Sequence, residues 1–200
     1  MTHGLNQLYV LMDRSPSMWK HISVRKRRID LAVNLLEELA EEIMNRNPNS
    51  LLRLSLYIFP SKTPGLYAEY IGSKILASKL YAKSLLKRLN MWLEPVPTTP
   101  LFKALEELAT MAQRSSKILT LSDGEEIIGS PTSSLYESIR SKNLKIVFIV
   151  INNYLPSKLL ALKTKARELR LYTAGTAAAI SDERRKELVK ELATWVIEEP

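Results

Sequence analysis

The feature that most constrains this chain is a regular alternation of short apolar runs with longer amphipathic patterns. Strands of the lengths seen here, when separated by helices, are joined by crossover connections, and such connections make neighbouring strands parallel. Apolar runs typical of strands lie at residues 8–12, 52–58, 118–121, 144–151 and 171–173. Helical periodicity, with apolar residues three or four positions apart, lies at residues 25–46, 75–91, 100–114, 134–141, 156–168 and 182–197.

One further strand is expected to run the other way. Residues 60–65 have turn composition, and residues 66–71 follow them as the second arm of a hairpin with 52–58. The sequence therefore predicts a single α/β domain over residues 1–200. Its expected architecture is a three-layer, doubly wound, mainly parallel sheet with one antiparallel edge strand and helices on both faces.

The composition excludes most common enzyme chemistries. The chain has no Cys, only two His (His3 and His21) and six Gly among 200 residues. It therefore has no disulfide scaffold, thiolate zinc site or Cys nucleophile, and it is poor in histidine for a Ser-His-Asp site. Gly124 and Gly129 have the spacing of a phosphate-binding loop, but Ser130-Pro131 follows where Lys-Ser/Thr is required. We expect the protein not to be an enzyme.

No segment of the sequence is predicted to span a membrane. The longest clear apolar run, residues 146–151, is far shorter than the roughly 18 residues that a span requires. The amino-terminal apolar stretch has no basic region before it, so no signal peptide is expected. We therefore expect a cytoplasmic protein.

Polar side chains follow the ends of the predicted strands. Asp13, Ser15 and Ser17 come after the first strand, Asp123 comes after the strand at 118–121, and Thr98-Thr99 precedes the helix at 100–114. Each piece alone is typical of a turn or a helix cap. In open α/β sheets, however, ligands bind outside the carboxyl ends of the strands. Carboxylate and hydroxyl oxygens there would suit a hard divalent cation such as Mg²⁺.

In this order, these residues resemble the metal-ion-dependent adhesion site of the von Willebrand factor A domain family. That pattern is Asp-x-Ser-x-Ser, then a Thr before a helix, then an Asp after the fourth strand. The resemblance implies a Rossmann-like fold and a bound Mg²⁺ or Mn²⁺, with Ser15 and Ser17 as direct ligands. It implies that Thr99 binds directly or through water and that Asp13 and Asp123 bind mostly through water. The metal ligands implied are Asp13, Ser15, Ser17, Thr99 and Asp123.

The same resemblance implies a function in binding. An open coordination position of the metal would accept an Asp or Glu carboxylate from a partner protein, and intracellular members of the family typically serve in multiprotein assemblies. One departure affects the site: Pro97-Thr98 stands where many members have Gly-Gly. Thr98 is thereby a rival ligand, but Thr99 fits the family's Thr-x-Leu spacing. The oligomeric state is left open.

Three residues near the predicted strand ends are candidates for a partner-binding rim. Trp19 follows the Asp-x-Ser-x-Ser segment, Glu125 follows Asp123, and Tyr154 follows the buried strand at 144–151. For Trp19 and Tyr154 the alternative interpretation is packing, and for Glu125 it is an exposed loop acid.

The net charge of +8 supports a second hypothesis, a nucleic-acid-associated protein. A dense basic run lies at the predicted start of the first helix, and a stripe of lysines four residues apart lies on the helix at 75–91. These candidates for anion binding, which could equally be solvated faces, are Arg25, Lys26, Arg27, Arg28, Lys79, Lys83 and Lys87. A third alternative is a Mg²⁺-dependent phosphohydrolase with Asp13 as nucleophile. That chemistry usually needs a second Asp two residues on, where this chain has Ser15.

Overall fold

The computed structural model describes residues 6–24, 26–48, 52–77, 79–166, 168–175 and 182–198. The strands are Gln7–Asp13 (β1), His21–Ser23 (β2), Lys26–Arg27 (β3), Arg53–Phe59 (β4), Glu69–Ile75 (β5), Lys117–Ser122 (β6), Lys145–Val150 (β7) and Leu169–Thr173 (β8). The helices are Arg28–Arg46 (α1), Lys79–Trp92 (α2), Leu101–Met111 (α3), Ser133–Ser141 (α4), Ser157–Lys165 (α5) and Asp182–Glu198 (α6).

Six of these strands form one sheet in the order β5-β4-β1-β6-β7-β8. All neighbours in it are parallel except β4 and β5, which pair as an antiparallel hairpin at the edge. The remaining two strands, β2 and β3, pair with each other just before α1. The predicted fold class, a mainly parallel sheet with one antiparallel edge strand, is confirmed.

Alternation along the central strand builds a core on each face of the sheet. Leu8, Val10 and Met12 of β1 pack in a cluster with the apolar sides of α1, α2 and α6. Tyr9 and Leu11 belong to a second cluster with α3, α4 and α5. Because successive side chains of a strand point to opposite faces, one strand supplies both cores and the helices form two outer layers.

Three predicted boundaries are wrong by several residues. The first helix begins at Arg28 rather than at residue 25, because Lys26 and Arg27 are extended and pair with β2. The second arm of the hairpin is Glu69–Ile75 rather than residues 66–71, since the antiparallel ladder continues until Ile75 lies opposite Arg53. The next helix therefore starts at Lys79, not at 75.

Two further helices are shorter than predicted. α3 ends at Met111 instead of 114, and α5 ends at Lys165 instead of 168. Among the described helices, not one combines the length and the apolar character needed to cross a membrane.

Candidate functional site

The central strands β1 and β6 end side by side, and this brings two polar residues together. Met12 pairs with Leu121, so Asp13 and Ser122 leave the sheet at the same edge. The Ser122 hydroxyl donates a hydrogen bond of 2.5 Å to Oδ2 of Asp13, which is fully buried. We call Asp13, Ser15, Ser17, Thr99 and Asp123 the polar edge.

The turn after β1 folds its two serines back beside Asp13. The backbone N–H of Ser15 donates to Asp13 Oδ1 at 2.7 Å, and Oγ of Ser15 lies 3.0 Å from Oγ of Ser17. The segment Pro16–Trp19 forms a single 3₁₀ turn, and Pro16 suits its first position because its fixed φ matches a helical start. Both serines are buried, so their hydroxyls face the interior of the edge rather than open solvent.

Burial dominates the electrostatics of Asp13. Desolvation raises the pKa of its carboxyl to about 7, hydrogen bonds from Ser122 and Ser15 oppose that rise, and the negative charge of Asp123 adds to it. Asp13 thus contacts neutral donors while it lies close to a second carboxylate. Nearby positive charge would stabilise the ionised form.

Asp123 is presented by a tight turn that only glycine can complete. Its Oδ1 accepts the backbone N–H of Glu125 at 2.9 Å. Gly124 between them has a φ of 70°, and a Cβ there would lie 2.3 Å from Cγ of Pro156. Ser122 is the last residue of β6, and Asp123 and Gly124 lead from it into a turn at Glu125, with Asp123 facing the start of α1.

Thr99 lies in the loop before α3, which is tied to both neighbouring turns. Val96 N–H donates to the carbonyl of Arg14 at 3.2 Å, and Ile128 N–H donates to the carbonyl of Thr99 at 3.0 Å. Thr99 is buried, whereas Thr98 is exposed. Of the two rival threonines, Thr99 is the buried one.

Three residues outside the implied set of metal ligands contribute to this edge. One is Ser122, described above. Another is Arg14, which is fully buried and donates to the carbonyls of Pro60 (2.7 Å) and Trp92 (3.0 Å) and to Glu69 Oε2 (2.7 Å). Burial lowers the pKa of its guanidinium, and the contact with Glu69 partly offsets that.

The third is Arg28, the first residue of α1. Its Nη1 donates to Asp123 Oδ2 at 2.8 Å and to Glu125 Oε1 at 2.6 Å. Desolvation opposes its charge, but these two carboxylates outweigh that effect and raise its pKa. No local sequence signal identifies these contacts, because their partners are 95 or more positions away.

The predicted rim residues have different surroundings. Trp19 is half-buried against the core cluster that includes α1, and the Arg27 guanidinium lies 4.2 Å from its ring centroid. Glu125 forms ion pairs with Lys20 and Arg28. Tyr154 is 55% exposed and lines the same cavity as Gly124.

Among the described basic candidates, two arginines pair with carboxylates of the chain. Arg27 pairs with Asp30 at 2.7 Å, and Arg28 faces the polar edge. Lys26 is exposed, as are Lys83 and Lys87 on α2. Arg25 lies outside the described residues, and so does the side chain of Lys79.

A groove of about 440 Å³ adjoins the polar edge on the side of the β4–β5 hairpin. Its walls are the hairpin loop at 60–67, Thr98, Pro100, Lys103 and Ile128. Leu66 and Ile128 are 46% and 55% exposed, and Lys62 and Lys103 add positive charge. Lys62 pairs with Glu94, and Lys103 donates to the Tyr67 hydroxyl at 3.0 Å. The groove is therefore partly apolar, and one of its two lysines is already paired with a carboxylate.

The donor set at the polar edge is made of hydroxyls and two aspartates. Within the described ranges, no three or more His, Asp or Glu side chains are arranged as a metal cluster. A metal at this edge would rely on serine and threonine oxygens for part of its coordination, which suits Mg²⁺ or Mn²⁺ better than Zn²⁺.

Neither a family model nor a curated protein matches this sequence. Solved structures do match the fold. The conserved hypothetical protein BatB from Bacteroides thetaiotaomicron is 13% identical, with a TM-score of 0.65 over 94% of this chain and 98% of that one. The SpRpn10 VWA domain is 15% identical, with a TM-score of 0.60 over 94% and 95%.

A von Willebrand factor type A protein from Catenulispora acidiphila is 15% identical, with a TM-score of 0.59 over 96% of this chain and 42% of that one. At such identities the likeness concerns the backbone architecture. These neighbours show that the chain has the von Willebrand factor A fold.

Proposed function

We propose that this von Willebrand factor A fold serves as an intracellular protein-binding module that captures a partner's Asp or Glu through a divalent cation at the polar edge. The observation that carries the proposal is the fully buried carboxylate of Asp13, which lies among the hydroxyls and N–H of Ser15 and Ser122 and beside Asp123. A buried carboxylate is costly without positive charge nearby, and a divalent cation provides that charge.

The residues present fit Mg²⁺ or Mn²⁺. Ser15 and Ser17 would hold the ion directly, Thr99 directly or through water, and Asp13 and Asp123 mainly through water. The bound ion would supply an electrophilic centre for an incoming carboxylate. Because the protein would give it little direct negative charge, attraction to a partner's carboxylate would be strong, and exclusion of water would strengthen it further.

The groove beside the polar edge supports an acidic partner. Lys103 favours negative charge, and the exposed side chains of Leu66 and Ile128 offer apolar contact. A partner segment that places a carboxylate at the edge could continue along this groove. We propose that such capture serves a multiprotein assembly.

The proposal is one of binding rather than catalysis. Ser15 occupies the position where a phosphohydrolase of this kind would need an acidic group, and its hydroxyl is engaged with Ser17. The alternative function, nucleic-acid binding, has less support, because two of its candidate anion-binding residues, Arg27 and Arg28, pair with carboxylates of the chain itself.

Metal binding can be measured on the purified chain by electron paramagnetic resonance of free Mn²⁺. We expect wild type to bind about one Mn²⁺ and Asp13→Asn to lose that binding, because the variant removes charge without changing shape. Asp182→Asn is the matched control, since Asp182 is 78% exposed at the start of α6. Equal Mn²⁺ binding by Asp13→Asn and wild type would contradict the proposed metal site.

Partner capture is the second arm of the same experiment. Wild type immobilised in native lysate should retain partners with Mg²⁺ and release them with EDTA, and Asp13→Asn should behave as chelated wild type does. Capture that is the same with Mg²⁺ and with EDTA would rule out a metal-bridged interaction even if Mn²⁺ binds.

A further inference from the structure

Arg28 places a positive charge of the chain itself on the polar edge. Its Nη1 bridges Asp123 Oδ2 and Glu125 Oε1, and its side chain is only 11% exposed. Asp123 is fully buried, so this contact takes place with little water to screen it. The ion pair is therefore a strong one compared with pairs on the surface.

The position of Arg28 is not one that a helix favours. It is the first residue of α1, where the macrodipole disfavours a cation. The backbone of Arg28 is anchored as well, because its N–H donates to the carbonyl of Lys20 at 3.2 Å. Its Nε is buried without a hydrogen-bond partner among the described residues. The cost of this arrangement is offset by contacts with the two carboxylates.

The two aspartates of the polar edge consequently differ in charge compensation. Asp123 accepts from the Arg28 guanidinium, whereas Asp13 accepts from the neutral groups of Ser15 and Ser122. Glu125 provides Arg28 with a second acceptor. Arg28 can therefore leave Asp123 and stay paired.

We propose that Arg28 is a tethered cation that competes with a divalent metal for Asp123 and so lowers the metal affinity of the polar edge. This inference rests on the proposed function, because it concerns the metal that the edge would hold. A divalent ion sharing Asp123 with the guanidinium would be repelled by it in a poorly screened environment. Metal binding is thus coupled to a shift of Arg28 from Asp123 toward Glu125.

The test compares Mn²⁺ affinity in wild type, Arg28→Gln and the control Arg27→Gln. Arg27 is the neighbouring arginine, carries the same charge, and pairs with Asp30 instead of the polar edge. Arg28→Gln should bind Mn²⁺ about 5- to 100-fold more tightly than wild type, the range of typical couplings between sites. Arg27→Gln should stay within about twofold of wild type.

The outcomes separate this inference from the proposed function. If wild type binds Mn²⁺ and Arg28→Gln binds it equally or more weakly, Arg28 orients Asp123 rather than competing, and the inference is wrong while the metal site stands. If no variant binds Mn²⁺, the metal site itself is refuted, and the inference with it.

Thermal unfolding gives a readout independent of Mn²⁺ spectroscopy. In EDTA, Arg28→Gln should melt below wild type, because Asp123 is left buried without its cation. Mg²⁺ should then raise the melting temperature of Arg28→Gln more than that of wild type, as expected when tighter binding stabilises the folded state.

Arg28→Lys, which keeps the charge but not the two-acceptor geometry, provides an intermediate variant should Arg28→Gln not fold. A Mg²⁺ shift no larger in either Arg28 variant than in wild type would overturn the inference.

Discussion

Thr98 has a backbone conformation that its side chain disfavours. Its φ is 79°, in the left-handed region that glycine adopts freely and β-branched residues rarely do. By the resemblance described above, this is the position where many von Willebrand factor A domains carry glycine. The loop before Thr99 is therefore strained at Thr98.

Replacing Thr98 with glycine should relieve that strain. The side chain is exposed, so little packing is lost, and we expect Thr98→Gly to stabilise the fold by about 1 kcal/mol. Urea denaturation measures the change in the free energy of unfolding. Thr132→Gly should instead destabilise the fold, because the Thr132 hydroxyl caps α4 by accepting Leu135 N–H at 3.1 Å. A Thr98→Gly protein less stable than wild type would show that the Thr98 side chain stabilises the loop.

The residues of the polar edge differ in how far sequence could predict their placement. Asp13, Ser15 and Ser17 follow a strand within five positions, so their neighbourhood is a local property. The contact of Ser122 with Asp13 spans 109 positions, and that of Arg28 with Asp123 spans 95. Such contacts depend on which strands lie side by side, and periodicity alone does not encode that.

For the helices and strands, hydrophobic periodicity predicted the type of each element better than the residues at which it begins and ends. The buried strand β7 was predicted at 144–151 and spans Lys145–Val150, since its continuous apolar run fits a parallel strand covered on both faces. The β2–β3 hairpin was missed because strands of three and two residues are too short to show a periodic pattern. The end of β5 was missed because it is set by the length of β4, its partner.

Three tyrosines lie close together on the adjacent strands β1, β4 and β5. Tyr57 of β4 has its ring centroid 6.3 Å from that of Tyr9 and 5.2 Å from that of Tyr70. Burial raises the pKa of Tyr57 to about 12, and the neighbouring tyrosines add to the rise. In the unfolded chain a tyrosine titrates near pH 10.

This difference predicts a loss of stability at alkaline pH. Between about pH 10 and pH 12 the folded state keeps the Tyr57 proton that the unfolded state releases, so stability decreases as pH rises through that window. Tyr57→Phe should show a shallower decrease than wild type in urea midpoints measured across the window. Tyr154→Phe, at an exposed tyrosine, should follow wild type. Identical pH profiles for Tyr57→Phe and wild type would contradict the prediction.

At the scale of the whole molecule, Arg14 links segments that are distant in sequence. Its guanidinium contacts the carbonyl of Pro60 after β4, Glu69 at the start of β5, and the carbonyl of Trp92 at the end of α2. Its own carbonyl accepts Val96 N–H from the segment that leads to Thr99. One buried side chain thus holds the loops that frame the polar edge and the adjoining groove.

Removal of this link should destabilise the whole fold. Arg14→Leu leaves Glu69, 16% exposed, without its cation and two carbonyls without their donor, so we expect a loss of about 3–5 kcal/mol in the free energy of unfolding. Arg14→Lys keeps the charge but lacks the planar guanidinium that reaches all three acceptors. Its loss in the free energy of unfolding should therefore be intermediate. Arg46→Leu breaks a partly exposed pair with Glu42 and an exposed hydrogen bond to Thr194, and it should cost about 1 kcal/mol. If Arg14→Leu cost no more than Arg46→Leu in urea denaturation, the hairpin loop between β4 and β5 and the segment after α2 would have to be held by their backbone hydrogen bonds and apolar contacts instead.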